Sequence, residues 1–342
     1  MHSKQKEGIS LGLLKVGVVG TGTMGRHHVR IYDSLHYQVK LVGIYDIDKY
    51  LANDIAKNYN IKSFDNLTEL LNECDAISIA VPSVYHYEVA MKALELGKNI
   101  LIEKPIASSI VEAKNIMALA KSKGLIVQVG HIERFNPAIV ELRKLLIDQK
   151  SVGIDIKRLS PFDGRIVDVD VVQDLMIHDI DIVLDLFGHD IKEINAFGKS
   201  VFSDKDLIDY AVASIQFNNG IIANLTASRV TQEKIRKLGL TTESSYIDLD
   251  YMDKKISIYQ WTNMLENLNS KEATYKQESV VSRVFVPNEE PLLNELKSFI
   301  SSVRNRQEPV VTAYDGLKSL EICEKIRGNI YNKEDMKNLI SL

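Results

Sequence analysis

The sequence predicts an α/β chain in two parts: a doubly wound domain on a parallel sheet, then an α+β domain with a large, mainly antiparallel sheet. Three observations predict this. From Lys15 to about Gln128, short Val- and Ile-rich runs alternate with segments of helical period, a rhythm that calls for parallel strands joined by right-handed crossovers. Past Gly130, strand-like segments follow one another without regular helices between them, so they must pair antiparallel. The length, 342 residues, suits about two domains at roughly 100–200 residues each.

The elements follow in order. Apolar runs at Lys15–Val19, Val39–Ile44, Ala76–Ala80, Asn99–Ile102 and Leu125–Val129 have the length and β-branched content of strands buried on both faces. Between them, helices are expected near Met24–Leu35, Lys49–Tyr59, Asn66–Glu73, His86–Leu96 and Ser109–Lys123. In the second part, helices are expected over Pro137 to about Lys150 and over Val171–Leu186. Strands follow near Ile191–Gly198, Asp209–Phe217, Ile221–Ser228, Arg236–Thr241, Ser245–Asp250 and Lys255–Tyr259. Asn218-Asn219-Gly220 joins two of them, and Asn-Gly there is a hairpin signal. Two helices close the chain: Pro291–Arg304, with Asn288 as its expected cap, and Asp315 to about Ile330. With no repeat or long linker in the sequence, the two domains are expected to pack against each other around a cleft.

Composition narrows the function classes. Basic residues number 42 and acidic 46, for a net charge of -4, which argues against a dedicated nucleic-acid binder. No apolar stretch approaches the roughly 18 residues that would span a bilayer, so no membrane partner is expected. The polar start, Met1 to Gly8, lacks the apolar core of a secretory signal. Cys74 and Cys323 are the only cysteines, which leaves no disulfide framework. The expected compartment is the reducing cytoplasm.

Gly20-Thr21-Gly22-Thr23-Met24-Gly25 is a G-x-G-x-x-G run, directly after the first strand and at the mouth of a helix. Gly20 allows the tight turn, Gly22 lets the backbone approach a pyrophosphate, and Gly25 allows helix to pack on strand. Thr23 and Met24 lie at the helix start, where free amides and the dipole favour phosphate. Asp46 ends the second strand about 20 residues beyond the motif, from where a carboxylate takes ribose hydroxyls. It would repel a ribose phosphate, and Ile47 and Asp48 follow instead of a basic residue. The expected cofactor is therefore NAD, with NADP disfavoured. For Asp48, capping the next helix is favoured over cofactor contact.

Val81-Pro82-Ser83 lies at the carboxyl edge of the sheet, where it should border the cofactor. Pro82 and His86 are candidate contacts, with a plain helix-start residue as the alternative for His86. Glu103-Lys104-Pro105 follows the fourth long strand at the same edge, so Glu103 and Lys104 are candidates too. Two readings are open for Lys104: an ammonium beside an apolar wall, with a pKa lowered for proton chemistry, or a surface lysine near a helix start. Pro105 is a candidate for a cis bond.

In the second part, Asp174 and His178 stand four apart on a helix and share a face, with Asp181 one turn further. A carboxylate beside an imidazole fixes its tautomer and raises its basicity, as a general base for an alcohol needs. The alternative is an amphipathic helix whose charges face water. His86, His131 and His178 lack a second His or Cys at ligand spacing, so no metal is expected. Nucleophile-elbow and phosphate-loop motifs are absent from the sequence.

Taken in order, Gly20-Thr-Gly22-Thr-Met-Gly25, Glu103-Lys104-Pro105 and Asp174-x-x-x-His178-Asp-Ile-Asp181 resemble the glucose-fructose oxidoreductase/inositol dehydrogenase/rhizopine catabolism (Gfo/Idh/MocA) family. The likeness covers nearly the whole chain, including Glu290-Pro-Leu292 and Ala313-Tyr-Asp315-Gly316. It implies an NAD-binding Rossmann domain (residues 12–130), a substrate-binding and oligomerisation domain with an open-faced sheet (131–310), and a C-terminal helix packing near the junction (311–342). It also implies pairing through that sheet into a homodimer or homotetramer. By the same resemblance Lys104, Asp174 and His178 are catalytic: His178 takes a hydroxyl proton, Lys104 polarises the oxygen, and Asp174 orients His178.

The stretch Val129 to Pro137 is similar to the branch that oxidises the 3-hydroxyl of nucleotide-linked amino sugars. Arg134 and Asn136 are then candidate substrate ligands, as is Arg229, with Arg165 on weaker grounds; for Arg134 a domain-joining salt bridge is the alternative. Two other functions stand beside this one: an inositol or free-sugar dehydrogenase using the same three residues, and a non-catalytic NAD-sensing regulator. The regulator should lack one of Lys104, Asp174 and His178, and all three are present.

Overall fold

A computed structural model describes residues 12–162, 169–202, 207–261 and 279–340. The chain divides into two units: residues up to Gly130 with Glu295–Ala313, and His131–Asn294 with the residues from Tyr314 onward.

In the first unit the order is β1 (Leu14–Val19), α1 (Thr23–Ser34), β2 (Val39–Tyr45), α2 (Lys49–Tyr59), β3 (Lys62–Ser63), α3 (Leu67–Glu73), β4 (Ala76–Ile79), α4 (His86–Glu95), β5 (Asn99–Glu103), α5 (Ile110–Lys123) and β6 (Val127–Gly130). The six strands are parallel, in the order β3-β2-β1-β4-β5-β6. Strand order reverses between β1 and β4, and ligands bind outside the carboxyl ends of strands at such a switch point. Val16, Val18, Ile77, Ile79, Ile100 and Ile102 are wholly buried, each contributing about 1.5–3 kcal/mol. Local signals set the helix starts: Asp48 accepts from the Leu51 amide, Asn66 from Thr68 and Ser109 from Glu112.

The second unit contains α6 (Pro137–Leu145), β7 (Ser151–Leu159), α7 (Ile177–Phe187), β8 (Ile191–Lys199), β9 (Tyr210–Phe217), β10 (Ile222–Ser228), β11 (Ile235–Thr242), β12 (Ser245–Asp250), β13 (Lys255–Trp261) and β14 (Ser279–Val284). Helix α8 (Pro291–Asn305) follows, from Glu295 onward part of the first unit, and α9 (Ala313–Ile340) lies in the second from Tyr314. Its eight-stranded sheet runs β14-β13-β12-β11-β7-β10-β9-β8. β7 pairs parallel with β10, and its other side and the remaining pairings are antiparallel.

One face of this sheet is apolar and buried: Ile154, Ile156, Ala213, Ile215, Leu225, Leu238 and Leu240 pack with Met176, Ile180 and Val183 and with Cys323 and Ile326 of α9. Alternation puts the intervening residues on the other face, where Phe197, Tyr210, Tyr246 and Tyr259 are exposed.

The structure departs from the sequence expectation at several elements. α6 stops at Leu145, and the next residues form β7, at the heart of the sheet, which the hydrophobic pattern did not announce. Its inward positions are Ile154, Ile156 and Arg158, so a charged side chain stands where an apolar one would mark a strand. β3 and β14 were likewise not expected, and α9 runs to Ile340. Asn288 accepts from Lys254 Nζ at 3.0 Å.

Candidate active site

The first unit builds a dinucleotide cradle at the ends of β1, β2 and β4. α1 starts at Thr23 with Gly22 as its cap, and among the described residues no side chain caps it, which leaves its first amides to a ligand. Gly20 has φ +89, and a Cβ there would stand 2.6 Å from the Ala80 carbonyl. A Cβ at Gly25 would lie 1.9 Å from the Gly20 oxygen, whereas at Gly22 it would meet nothing within 4 Å. Gly20 and Gly25 thus serve the fold, and Gly22 opens the space through which a pyrophosphate approaches.

Asp46 stands beside this loop. Its Oδ2 accepts from the Thr21 amide at 2.6 Å and the Thr21 hydroxyl at 2.8 Å, and its Oδ1 accepts from the Asp48 amide at 2.9 Å. The carboxylate is fixed and half-buried. An uncapped helix start, an open glycine and a fixed carboxylate fit the pyrophosphate and ribose of a dinucleotide.

His86 is buried, with Nδ1 2.7 Å from the Pro105 carbonyl and Nε2 2.9 Å from that of Val81. It ties the loop after β4 to the turn after β5. Burial pushes its pKa down, against both carbonyls. Pro82 precedes the short turn Ser83–Tyr85 on that loop. Glu103 points inward, its Oε1 2.9 Å from His28 Nε2. Burial opposes its charge, but His28, with Lys104 and His86 beyond, holds its pKa below the ordinary range. Lys104 follows on a cis Lys104–Pro105 bond, half-buried at the carboxyl end of β5.

The second unit carries Asp174 and His178, the pair that the sequence offered for acid–base chemistry. Residues Val172–Met176 form a π turn that runs into α7 at Ile177. Asp174 lies in the π turn and His178 in the first turn of α7. A π turn is wider than the 3.6 residues of an α-helix, so residues four apart come more nearly into line. Both are half-buried on a helix whose neighbours Met176, Ile177 and Ile180 are fully buried.

Asp179 and Asp181 are fully buried, so on this side the helix does not turn its charges to water. Asp179 receives Arg158 Nε at 2.9 Å and Nη2 at 2.7 Å, and Arg158 Nη1 reaches Glu133 Oε1 at 2.8 Å. Asp181 receives Arg134 Nε and Nη2, each at 2.7 Å.

Two family models match the chain: an oxidoreductase family with an NAD-binding Rossmann fold over residues 14–131, and a GFO/IDH/MocA C-terminal domain over residues 165–243. The UDP-N-acetylglucosamine 3-dehydrogenase of Acidithiobacillus ferrooxidans is 35% identical over 246 residues, covering 72% of this chain and 77% of the relative. The chain belongs to the Gfo/Idh/MocA oxidoreductase family. The solved structure of that A. ferrooxidans enzyme superposes with a TM-score of 0.84 at 29% identity, covering 94% of this chain and 98% of the other. Two Bacillus subtilis relatives are scyllo-inositol 2-dehydrogenase, 26% identical over 90% of this chain and 92% of its own length, and glucose-6-phosphate 3-dehydrogenase, 25% identical over 94% and 98%.

As a Gfo/Idh/MocA member the chain is an NAD(P)-dependent dehydrogenase, and its first unit is an NAD-binding Rossmann domain. Three residues that the sequence offered for substrate do structural work within the second unit. Arg134 is 4% exposed. Besides Asp181 it reaches Asp185 at 3.0 Å and Asp315 at 3.4 Å, so its fork is committed to carboxylates and not to a diphosphate. Asn136 caps α6 through the Ala138 amide and donates to Glu133. Arg229 is buried on Asp209 at 2.5 Å and on the Val169 carbonyl at 2.8 Å. Arg165 lies outside the described residues.

His28, Arg158 and Arg236 were not foreseen. The one available signal was a polar residue at an inward position of an amphipathic element, as His28 is on α1.

Proposed function

We propose that this protein oxidises the 3-hydroxyl of a nucleotide-linked amino sugar of the UDP-N-acetylglucosamine type, with NAD as acceptor. The observation that carries the reading is the Asp174–His178 pair in a chain 35% identical over 246 residues to an enzyme of that name. His178 removes the hydroxyl proton, and Asp174, one turn earlier, orients the imidazole and supports the charge it acquires. Lys104, the family's catalytic lysine by resemblance, stabilises the alkoxide character that develops. NAD, when bound, receives the hydride from the carbon that becomes the ketone. The α1 amides hold its pyrophosphate past Gly22, and Asp46 takes its adenosine ribose.

The exposed face of the eight-stranded sheet, with Phe197, Tyr210, Tyr246 and Tyr259, pairs subunits into a homodimer or homotetramer. No helix among the described residues is long and apolar enough to cross a membrane, and the reading places the enzyme in the cytoplasm.

The full-length likeness to scyllo-inositol 2-dehydrogenase supports a second reading, oxidation of a cyclitol by the same residues. The test is to offer nucleotide sugars, sugar phosphates and cyclitols while following reduced nicotinamide, with and without a recycling acceptor. Preferential turnover of UDP-N-acetylglucosamine supports the first reading, and turnover of inositols alone overturns it.

A further inference from the structure

Arg236 on β11 stands directly opposite Arg158 on β7 in the antiparallel register. Like charges facing each other across a ladder are destabilising, so the pair needs a reason. Arg158 is satisfied: it is fully buried and holds Asp179 and Glu133. Among the described residues Arg236 makes one ion pair, with the same Glu133 oxygen at 3.5 Å, and its side chain is 28% exposed. Lys234, two residues earlier and just before β11, is exposed.

Among the described residues three cations share the two carboxylates within ion-pair reach of them, Glu133 and Asp179, so the outer two are crowded by like charge. Both outer groups register it. Lys234 is pushed below its ordinary pKa first by Arg236, and Arg236 is pushed down by burial and then by Arg158. Arg158 holds Asp179, the residue after His178, at 2.7 Å, and Asp174 is a further carboxylate whose charge acts on Arg236, so the crowded cations stand beside the pair assigned to the alcohol.

We propose that Arg236 and Lys234 bind the phosphoryl group of the substrate. Arg236 offers a planar fork and Lys234 a mobile point charge, the two complementary ways of holding phosphate oxygens. The arriving anion relieves the repulsion among the three cations. The inference rests on reading Asp174 and His178 as the alcohol-oxidising pair and adds that the substrate is anionic. The phosphoryl group can come from a nucleoside diphosphate or from a sugar phosphate.

The test has two arms on NAD-loaded enzyme. In the first, binding of UDP, glucose 6-phosphate and inorganic pyrophosphate is measured by calorimetry for wild type, Lys234→Ala and Arg236→Gln. Wild type should bind at least one of them, and each substitution should weaken it about ten- to hundredfold. Tightest binding of UDP identifies a nucleotide-linked substrate, and that of glucose 6-phosphate a sugar phosphate. In the second arm, kcat/KM is compared between UDP-N-acetylglucosamine and scyllo-inositol. Both variants should lower the ratio of phosphorylated to neutral substrate through KM.

If wild type turns over UDP-N-acetylglucosamine and the variants keep the same KM, the phosphoryl site is refuted while the proposed reaction stands. If UDP binds through these residues but the nucleotide sugar is never oxidised, the site stands and the reaction is refuted. Failure of wild type to bind any of the three anions overturns the site outright.

Discussion

His28 Nε2 lies 2.9 Å from Glu103 Oε1 inside the first unit. The contact joins α1, whose start cradles the pyrophosphate, to the last residue of β5, which immediately precedes Lys104. Glu295 completes the group, all three ligand-type atoms lying within 4.8 Å of one another. Replacing His28 with Ala removes the hydrogen bond that supports a buried carboxylate and should cost about 1–3 kcal/mol. Because Glu103 has a depressed pKa in the folded state, its contribution is present above the unfolded carboxylate pKa and is lost as pH falls through the folded value. Denaturant titrations at several acidic pH values should show that loss in wild type and a flatter dependence in His28→Ala. Identical pH profiles would exclude a role for the pair.

The glycine motif separates fold from ligand. Gly22→Ala places a methyl in open space and should keep the wild-type Tm while weakening NAD strongly. Gly25→Ala drives a methyl into the Gly20 carbonyl and should destabilise by about 1–3 kcal/mol or more. Thermal unfolding with and without NAD reads both, and tight NAD binding by Gly22→Ala would contradict the assignment.

In the proposed cofactor site Asp46 selects between the two nicotinamide cofactors. Asp46→Ala removes the carboxylate proposed to take the ribose and should weaken NAD about tenfold or more, while easing the exclusion of NADP. The ratio of kcat/KM for NAD over NADP should fall. An unchanged ratio would mean that another group selects the cofactor.

Arg158 is an electrostatic hub of the second unit, fully buried between Asp179 and Glu133. Arg158→Met leaves both carboxylates without their main counter-charge and should cost about 3–5 kcal/mol. Adding Asp179→Asn should recover part of that loss, and urea unfolding of the two variants measures it.

The contrast between what was and was not legible in the sequence follows from locality. Asp48 capping α2 and the glycine run after β1 depend on residues a few positions apart, and their spacing announces them. The hydrophobic rhythm likewise marked the long strands of the parallel sheet. β7 escaped because Arg158 occupies an inward position, and a charge is tolerated there only through Asp179 and Glu133 on other elements. Arg134 stood open between substrate ligand and salt bridge for the same reason: Asp181, Asp185 and Asp315 are brought to it only by folding. Lys234 and Arg236 drew no attention because their crowding by like charge exists only once β11 lies beside β7.

The central proposal is that His178 takes the proton of an alcohol of a nucleotide-linked sugar and that Lys104 supports the same reaction. Single-turnover reduction of enzyme-bound NAD by UDP-N-acetylglucosamine tests it most directly. His178→Ala should slow the step about 10²- to 10⁴-fold, and Lys104→Ala should slow it comparably, with NAD affinity close to wild type in His178→Ala. Wild-type rates in either variant would contradict the account.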